Sequence, residues 1–416
     1  MRLTDRYRAV LLDLDGVLFR SGRVVPGAPE TVRELRTAGK RIVFLTNNSA
    51  RTPEQVADTL AGLGIEAAPE EVVTSALPTA RLLAESGDGP ASTAYVIGRE
   101  GVRAALARAG VDVLEGSPDR ADFVVVGWDR EVGYEQLRVA SVLVRRGARL
   151  VATNDDASYP APGGELWPGA GALLAAVETA SGTRATVVGK PHRHLFDEAL
   201  DRAGTREALM VGDRVETDVV GAARAGIDAL FVLSGATGRA DLLDHDELPV
   251  AVGDDLRALL EDRPVGVLRP ARPGELDAIR TLTEAGSEVP GWGPEGVWVV
   301  EEDGLLSMAT AEVRGSEAYL RGVATREDVR GRDLGSLAVA AAIGDVRRRG
   351  ASRCFLLTET AEPFFEHLGF RRVAREEVPA WALQRSPECP VGAAAMRRDL
   401  PQEPGQWTAR GSGRPR

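Results

Sequence analysis

The first apolar run of the chain, residues 9–12, ends in two carboxylates placed two positions apart, Asp13 and Asp15, followed by Gly16. Such a run predicts a buried strand, and residues i and i+2 of a strand point to the same side. Both carboxylates can therefore face one ligand, while Gly16 permits a sharp turn out of the strand. An ordinary acidic turn is the alternative interpretation of these residues taken alone.

Three later segments repeat this pattern of an apolar run that ends in polar groups. They are residues 41–49, which include Thr46, residues 185–191, which include Lys190, and residues 209–218, which include Asp213 and Asp218. A hydroxyl and backbone amides at a strand end can hold phosphate oxygens, a lysine offsets negative charge, and carboxylates bind a hard cation. Together the four strand ends predict one site for phosphoryl transfer.

The use of lysine in this chain singles out Lys190. Only two of the 51 basic residues, Lys40 and Lys190, are lysines, and the others are arginines. A lysine within a Gly-Lys-Pro step therefore indicates that a compact ammonium is needed there, because a guanidinium differs in size, planarity and reach. An exposed turn lysine is the alternative.

These four segments resemble the four motifs of the haloacid dehalogenase superfamily of phosphatases, over roughly residues 1–262. The resemblance implies that Asp13 is the nucleophile, which forms an aspartyl-phosphate, and that Asp15 is the general acid and base. It also implies that Thr46 and Lys190 hold the phosphate. The expected activity is that of a phosphoric monoester hydrolase (EC 3.1.3.-).

The same resemblance implies a Mg²⁺ site. Its ligands would be the carboxylates of Asp13 and Asp213 and the backbone carbonyl of Asp15, with Asp218 as a supporting carboxylate. A carboxylate is a weak nucleophile toward a phosphate dianion, so a cation is needed to neutralise charge and align the attack.

The long interval between Thr46 and Lys190 predicts an inserted domain, because about 140 residues far exceed one βα connection. We expect a Rossmann-like, doubly wound parallel sheet over residues 1–78 and 185–262, with an α/β cap over residues 79–184. The position of the cap resembles class IIA of the superfamily, in which caps choose the substrate. The candidate substrate contacts are Asn47, Asn48, Trp128, Asp129 and Asn154. For Trp128, ordinary core packing is an equal alternative.

A second unit is predicted over residues 265–400, as an α+β domain. The step from Arg330 to Gly335 follows a strand, opens a helix and resembles the acetyl-CoA loop of GNAT N-acetyltransferases. The acetyl-CoA contacts implied by this resemblance are Arg330, Gly331, Arg332 and Gly335. One departure stands against cofactor binding: Asp333 occupies a position that the family usually gives to glycine, and it adds a Cβ and a negative charge beside a diphosphate.

Composition excludes several other classes of protein. A net charge of −11 and a pI near 5.2 argue against a nucleic-acid-binding surface. Two cysteines, Cys354 and Cys389, indicate neither a disulfide framework nor a zinc cluster, and they fit a cytoplasmic location. The opening apolar run is too short for a membrane span. A homo-oligomer is compatible with the sequence, and the tail over residues 401–416 is expected to be disordered.

The expected function is therefore that of a Mg²⁺-dependent phosphatase acting on a small phosphorylated metabolite. Fusion of a class IIA phosphatase to a GNAT-like domain resembles actinobacterial glycerol 3-phosphate phosphatases, which makes glycerol 3-phosphate the favoured substrate. The alternatives are acetyl transfer as the main activity, a bifunctional phosphatase and acetyltransferase, and transfer of the phosphoryl group to another alcohol.

Overall fold

The computed structural model describes residues 2–86, 92–161, 165–263, 265–283, 296–385, 389–390 and 392–401. Contacts divide the chain into two compact units, residues 2–235 with 254–261, and residues 236–253 with the chain from 262 onward. Residues 236–253 thus group by contact with the C-terminal part, whereas the sequence prediction placed them in the N-terminal core. Of the predicted disordered tail, residues 402–416 lie outside the described residues.

The first unit contains fourteen named strands and eight α-helices among its described residues. The strands are β1 (Ala9–Asp13), β2 (Phe19–Arg20), β3 (Arg23–Val24), β4 (Arg41–Thr46), β5 (Val72–Thr74), β6 (Thr93–Ile97), β7 (Asp112–Leu114), β8 (Phe123–Val126), β9 (Arg149–Ala152), β10 (Ser158–Pro160), β11 (Leu166–Pro168), β12 (Thr186–Val187), β13 (Ala208–Gly212) and β14 (Asp228–Val232). The helices are α1 (Ala28–Thr37), α2 (Pro53–Gly62), α3 (Ala76–Ser86), α4 (Glu100–Arg108), α5 (Tyr134–Arg145), α6 (Ala170–Ser181), α7 (Arg193–Ala203) and α8 (Val220–Ala225).

The strands that carry the predicted phosphate site form a parallel sheet in the order β14-β13-β1-β4-β5. All five residues of β1 are buried, as expected for a central parallel strand that is covered on both faces. The strand order reverses direction beside β1, and in such sheets ligands bind at the carboxyl ends of the strands near that point.

A second parallel sheet, in the order β12-β9-β8-β6-β7, forms the inserted part of this unit. Its two faces are both buried. Phe123 and Val125 of β8 pack in one apolar cluster with residues of α3 and α4, whereas Val124 and Val126 pack in another with residues of α5 and α6. The sequence prediction ended the cap at residue 184, but β12, just beyond that boundary, pairs with β9 of this sheet.

The second unit is built on a seven-stranded sheet. The strands and helices of this unit are listed next, and β15 lies outside the seven-stranded sheet. They are β15 (Ala251–Gly253), β16 (Val267–Pro270), β17 (Val297–Glu301), β18 (Leu305–Arg314), β19 (Glu317–Thr325), β20 (Arg353–Thr358), β21 (Arg371–Val373), β22 (Ala394–Asp399), α9 (Leu276–Thr283), α10 (Leu334–Arg348), α11 (Glu362–His367) and α12 (Ala380–Leu383). The sheet order is β16-β17-β18-β19-β20-β22-β21, and only β19 and β20 pair in parallel.

The architecture confirms the predicted fold class, a Rossmann-like parallel α/β core with an α/β insertion and a following α+β domain. The largely buried helix α10 follows the predicted loop around Asp333, as the sequence indicated. Within the described ranges, no helix is both long enough and apolar enough to cross a bilayer.

Candidate active site

The strand ends of the first sheet bring the predicted catalytic residues together. Asp13 ends β1, Thr46 ends β4 and Asp213 directly follows β13, and these three strands are neighbours. Because the strands are parallel, their carboxyl ends share one edge of the sheet. Lys190 reaches the same place from the turn after β12, with its Nζ 2.5 Å from Asp13 Oδ1.

Three buried carboxylates form the candidate metal site. Asp13, Asp213 and Asp218 each place one carboxylate oxygen within 4.8 Å of the others. Glycine backbone makes room for this group: a Cβ at Gly16 would lie 2.3 Å from Asp213 Oδ2, and a Cβ at Gly235 would lie 1.8 Å from the same atom. An all-oxygen donor set of this kind fits a hard divalent cation such as Mg²⁺. Asp218, predicted as a supporting residue, lies within the group itself.

Lys190 bridges two of these carboxylates. Its ammonium, on a side chain that is only 4 % exposed, lies 2.5 Å from Asp13 Oδ1 and 2.7 Å from Asp218 Oδ1. Burial raises the pKa of Asp13 well above its usual range, Lys190 opposes this, and the charges of Asp218 and Asp213 add to the rise. Burial disfavours the charge of Lys190, but Asp13 and Asp218 more than compensate and raise the pKa of the lysine. The ammonium is therefore charged at neutral pH.

Asp15 differs from Asp13 in being exposed to solvent. Protein atoms packed around the Asp15 carboxyl group nevertheless displace part of its hydration, and this raises the pKa of Asp15. The positive charges of Lys190 and Arg51 lower that pKa, but by less. A raised pKa favours the protonated form that a general acid needs. The turn beyond it has Gly16 at φ +86°, and Ser234 Oγ donates a hydrogen bond to the Gly16 carbonyl at 2.6 Å.

The predicted asparagines after β4 stabilise the loop rather than project from it. The Asn48 backbone N–H donates to Thr46 Oγ1 at 3.1 Å, and Asn48 Oδ1 accepts from the Ala50 N–H at 2.9 Å. Asn154 Nδ2, from the inserted part, donates to the Asn47 carbonyl at 2.8 Å. The local turn is therefore fixed by the same side chains that the sequence prediction assigned to the substrate.

Asn47 holds the backbone of Lys190 from both sides. Asn47 Oδ1 accepts from the Lys190 N–H at 2.7 Å, and Asn47 Nδ2 donates to the Lys190 carbonyl at 3.1 Å. The same Nδ2 donates to Asp156 Oδ2 at 3.1 Å, and Asp156 Oδ1 lies 3.5 Å from Arg214 Nη1. Sequence reasoning missed Asp156 and Arg214, although Arg214 directly follows the predicted metal ligand Asp213 and Asp156 lies two positions after the predicted contact Asn154.

The other predicted cap contacts lie in an aromatic cluster and a turn. The Trp128 ring packs edge-to-face against Tyr159 at 5.3 Å between centroids, and Tyr159 packs similarly against Trp167 at 6.3 Å. Asp129 Oδ1 accepts from the Glu131 N–H at 2.9 Å. Among the described residues, no hydrogen bond links Trp128 or Asp129 to the Asp13 group.

In the second unit, Asp333 stands at the start of α10 with φ +59°, a left-handed conformation that favours glycine. Its carboxylate accepts two hydrogen bonds from Arg239, at 2.6 and 3.0 Å, and one from Ser336 Oγ at 3.1 Å. The predicted loop residue Arg330 donates to the Thr325 carbonyl at 3.3 Å. The predicted acetyl-CoA loop therefore contains a carboxylate, that of Asp333, which is hydrogen-bonded to the guanidinium of Arg239 from the same unit.

The parallel sheet and its acidic site define an α/β protein with a site suited to phosphoryl transfer, and comparison with known proteins gives its family. Models for haloacid dehalogenase-like hydrolases match residues 10–112 and 187–259, and a model for the acetyltransferase (GNAT) family matches residues 271–370. The chain belongs to the haloacid dehalogenase-like hydrolase family, with a C-terminal GNAT domain. It is a phosphatase, as the sequence predicted.

Individual relatives agree with this assignment. The 5'-nucleotidase YutF of Bacillus subtilis is 38 % identical over 252 residues, which are 60 % of this chain and 96 % of that protein. The acid sugar phosphatase of Staphylococcus haemolyticus is 36 % identical over 258 residues, 62 % of this chain and 96 % of the relative. The structure of glycerol phosphate phosphatase Rv1692 from Mycobacterium tuberculosis in complex with magnesium superposes with a TM-score of 0.69 and 30 % identity, covering 88 % of this chain and 98 % of that structure.

Proposed function

We propose that this chain is a Mg²⁺-dependent phosphatase that hydrolyses a small phosphomonoester through an aspartyl-phosphate (an acyl phosphate) formed on Asp13. The observation that carries the proposal is the buried ammonium of Lys190, which contacts Asp13 and Asp218 beside Asp213. Asp13, Asp213 and Asp218 would hold the cation, which supplies charge neutralisation and alignment of the phosphate.

In the first step, an Asp13 carboxylate oxygen attacks phosphorus, the bond from phosphorus to the ester oxygen breaks, and Asp15 gives its proton to the departing oxygen. In the second step, the Asp15 carboxylate takes a proton from water as that water attacks phosphorus. Inorganic phosphate leaves and the Asp13 carboxylate is restored. Thr46 and Lys190 hold the non-bridging phosphate oxygens throughout.

Glycerol 3-phosphate is the proposed substrate. Support comes from the similarity to the mycobacterial glycerol phosphate phosphatase, which extends over 88 % of this chain, whereas the nucleotidase and the sugar phosphatase match 60–62 % of it. Trp128 and Asp129 are the proposed cap contacts of the glycerol moiety. Asn47, Asn48 and Asn154 would act by fixing the loop.

The proposal includes the domain limits and the cellular location expected from the sequence. As expected from the sequence, the core would comprise residues 1–78 and 185–262, the cap residues 79–184 and the GNAT-like domain residues 265–400. Two features of the structure lie across these limits: β12 pairs with β9 of the cap sheet, and residues 236–253 group with the second unit. A reducing cytoplasm fits two free thiols, Cys354 and Cys389.

A phosphate-release assay over a panel of substrates tests this function. The panel contains glycerol 3-phosphate, a nucleoside 5'-monophosphate, glucose 6-phosphate and 4-nitrophenyl phosphate, each with Mg²⁺. We expect kcat/KM for glycerol 3-phosphate to exceed that of the other natural esters at least about tenfold, a preference of roughly 1.4 kcal/mol. A higher kcat/KM with the nucleotide or the sugar phosphate would reject glycerol 3-phosphate while keeping the phosphatase.

A further inference from the structure

The candidate active site is assembled from two groups of residues on separate loops. Thr46 and Lys190, which would hold the phosphate, lie at the end of β4 and in the turn after β12, whereas Asp213 and Asp218 follow β13. The ion pairs of Lys190 with Asp13 and Asp218 link the two groups in this structure. The same ammonium has to hold phosphate, however, so a second link is needed that leaves it free.

Asp156 makes such a link. Its Oδ2 accepts a hydrogen bond from Asn47 Nδ2 at 3.1 Å, and its Oδ1 lies 3.5 Å from Arg214 Nη1. Asn47 in turn binds the backbone N–H and the carbonyl of Lys190. The Asp156 carboxylate therefore contacts both groups of loops, one with each oxygen.

Arg214 connects this carboxylate to the residues that would hold the metal. It directly follows Asp213, and its backbone N–H donates to Asp218 Oδ2 at 3.1 Å. Its guanidinium also forms an ion pair with Glu216 of the same loop. A guanidinium that lies between two carboxylates has its orientation fixed by both. Movement of Arg214 would therefore disturb the backbone between Asp213 and Asp218.

The backbone that carries Asp156 is itself closely packed. The Asp156 N–H donates to Asn154 Oδ1 at 3.2 Å, and its carbonyl accepts from the Gly171 N–H at 2.9 Å. A Cβ at Gly169 would lie 2.1 Å from the Asp156 carbonyl oxygen, and a Cβ at Gly171 would lie 2.2 Å from that of Asp155. Two glycines at the start of α6 thus allow this close approach. The Asp156 side chain therefore extends from a fixed segment of the inserted part.

We infer that Asp156 is a positioning residue that keeps the phosphate-holding and metal-holding loops in register, through Asn47 on one side and Arg214 on the other. This role rests on the proposed function, and it assigns a task in the reaction to a residue of the inserted part that does not touch the substrate. A carboxylate that only fastened the inserted part to the core would stabilise the fold and leave ligand affinity unchanged. The two roles therefore differ in how the loss of Asp156 affects binding.

Thermal scans of the full-length protein test this role, with titration of Mg²⁺ alone and of inorganic phosphate at saturating Mg²⁺. The shift in melting temperature reports the dissociation constant of each. Asn47→Ala removes the first contact of the carboxylate, Arg214→Met the second and Asp156→Ala both, while Asp156→Asn keeps the shape but has only one acceptor oxygen. Asp155→Ala is the matched control, because it removes one negative charge at the exposed neighbouring position.

We expect Asn47→Ala to weaken mainly phosphate binding, Arg214→Met mainly Mg²⁺ binding, and Asp156→Ala both, each about three- to tenfold, as for the loss of one hydrogen bond. Asp155→Ala should bind both probes like the wild type. Because Asp156 acts through its two partners, adding Asp156→Ala to Asn47→Ala should weaken phosphate binding no further. Adding it to Arg214→Met should likewise weaken Mg²⁺ binding no further.

Wild-type affinity of Asp156→Ala for both probes, even with a lower melting temperature, would make Asp156 a structural contact and overturn the inference. Additive losses in the double variants would overturn it as well. If Asp156→Ala does not fold, Asp156→Asn decides: at least one of its two dissociation constants should rise, and two unchanged constants would refute the role. A wild type that responds to neither Mg²⁺ nor phosphate would reject the proposed function, and this role with it.

Discussion

At the scale of single residues, the two carboxylates of the first motif, Asp13 and Asp15, lie in different environments. Asp13 is buried against Lys190, whereas Asp15, two positions later, is exposed. A nucleophile needs its lone pairs aligned and shielded from water, while an acid and base must exchange protons with the leaving group and solvent. Asp13 is the last residue of β1 and Asp15 lies just beyond the strand, so one short segment supplies both roles.

Asp13→Asn should abolish phosphate release while preserving the fold, because the amide keeps the shape of the side chain but cannot form the acyl-phosphate. We expect less than about a thousandth of the wild-type kcat in a phosphate-release assay. Asp197→Asn, at a partly exposed position of α7 where the side chain pairs with Arg193, is the control and should be unaffected. Turnover by Asp13→Asn above that level would remove Asp13 from the nucleophile role.

Asn47→Ala should lower kcat/KM about ten- to a hundredfold by releasing the backbone of Lys190, since small displacements of a catalytic group have effects of this size. The loss should appear with every phosphomonoester in the panel, because phosphate rather than the alcohol is misplaced. Asn48→Ala, which removes only the contact of its Oδ1 with the Ala50 N–H, is the comparison and should cost less. A loss confined to one substrate would instead make Asn47 a substrate contact.

At the scale of elements, the helix α10 and the loop before it illustrate what sequence could predict. The run from Leu334 to Arg348 is long and largely apolar, and the sequence predicts that a helix opens at the step from Arg330 to Gly335, where α10 does begin. The pairing of Asp333 with Arg239, 94 positions away, was not predictable, because no periodicity records which distant cation meets a carboxylate. The same holds for Asn47 and Asp156, which are 109 positions apart.

Asp333→Gly tests whether this loop can still accept a cofactor. The substitution removes the strained left-handed Cβ and the negative charge, and it frees Arg239 for a diphosphate. Calorimetry should show weak or absent acetyl-CoA binding by the wild type and tighter binding by Asp333→Gly. Tight wild-type binding that the glycine weakens would favour a bifunctional enzyme.

At the scale of the whole molecule, the two thiols should report folding. Cys354 in β20 is fully buried, and burial raises its pKa to about 12, whereas Cys389 is partly exposed. The native state holds the Cys354 proton more tightly than the unfolded chain. The protonated Cys354 thiol therefore makes its full contribution to the free energy of unfolding at pH values below the ordinary thiol pKa, and this contribution is lost as pH rises toward 12. At pH 8, mass spectrometry after iodoacetamide treatment should find one labelled thiol in the native protein and two in denaturant; rapid native labelling of Cys354 would contradict this.

Metal binding should couple the acidic site to the stability of the chain. Asp13, Asp213 and Asp218 lie together, and the single ammonium of Lys190 offsets only part of their charge. Mg²⁺ should therefore raise the melting temperature by several degrees, and EDTA should silence the enzyme until Mg²⁺ is restored. Asp213→Asn removes one repelling charge and one ligand. It should therefore melt at or above the wild type in EDTA, yet gain much less from Mg²⁺ in a thermal scan.

The control for this experiment is Glu85→Gln, at an exposed helical position that pairs with Arg81, which should show the full wild-type response to Mg²⁺. Calcium should also raise the melting temperature of the wild type but support little turnover, because its looser coordination aligns the attack poorly. An equal Mg²⁺ shift in Asp213→Asn and the wild type would place the metal elsewhere, and full activity after exhaustive chelation would exclude a metal from the reaction. If Asp213→Asn melts at a lower temperature than the wild type in EDTA, the Asp213 carboxylate stabilises the fold through protein contacts. The prediction that repulsion destabilises the metal-free cluster would then be wrong.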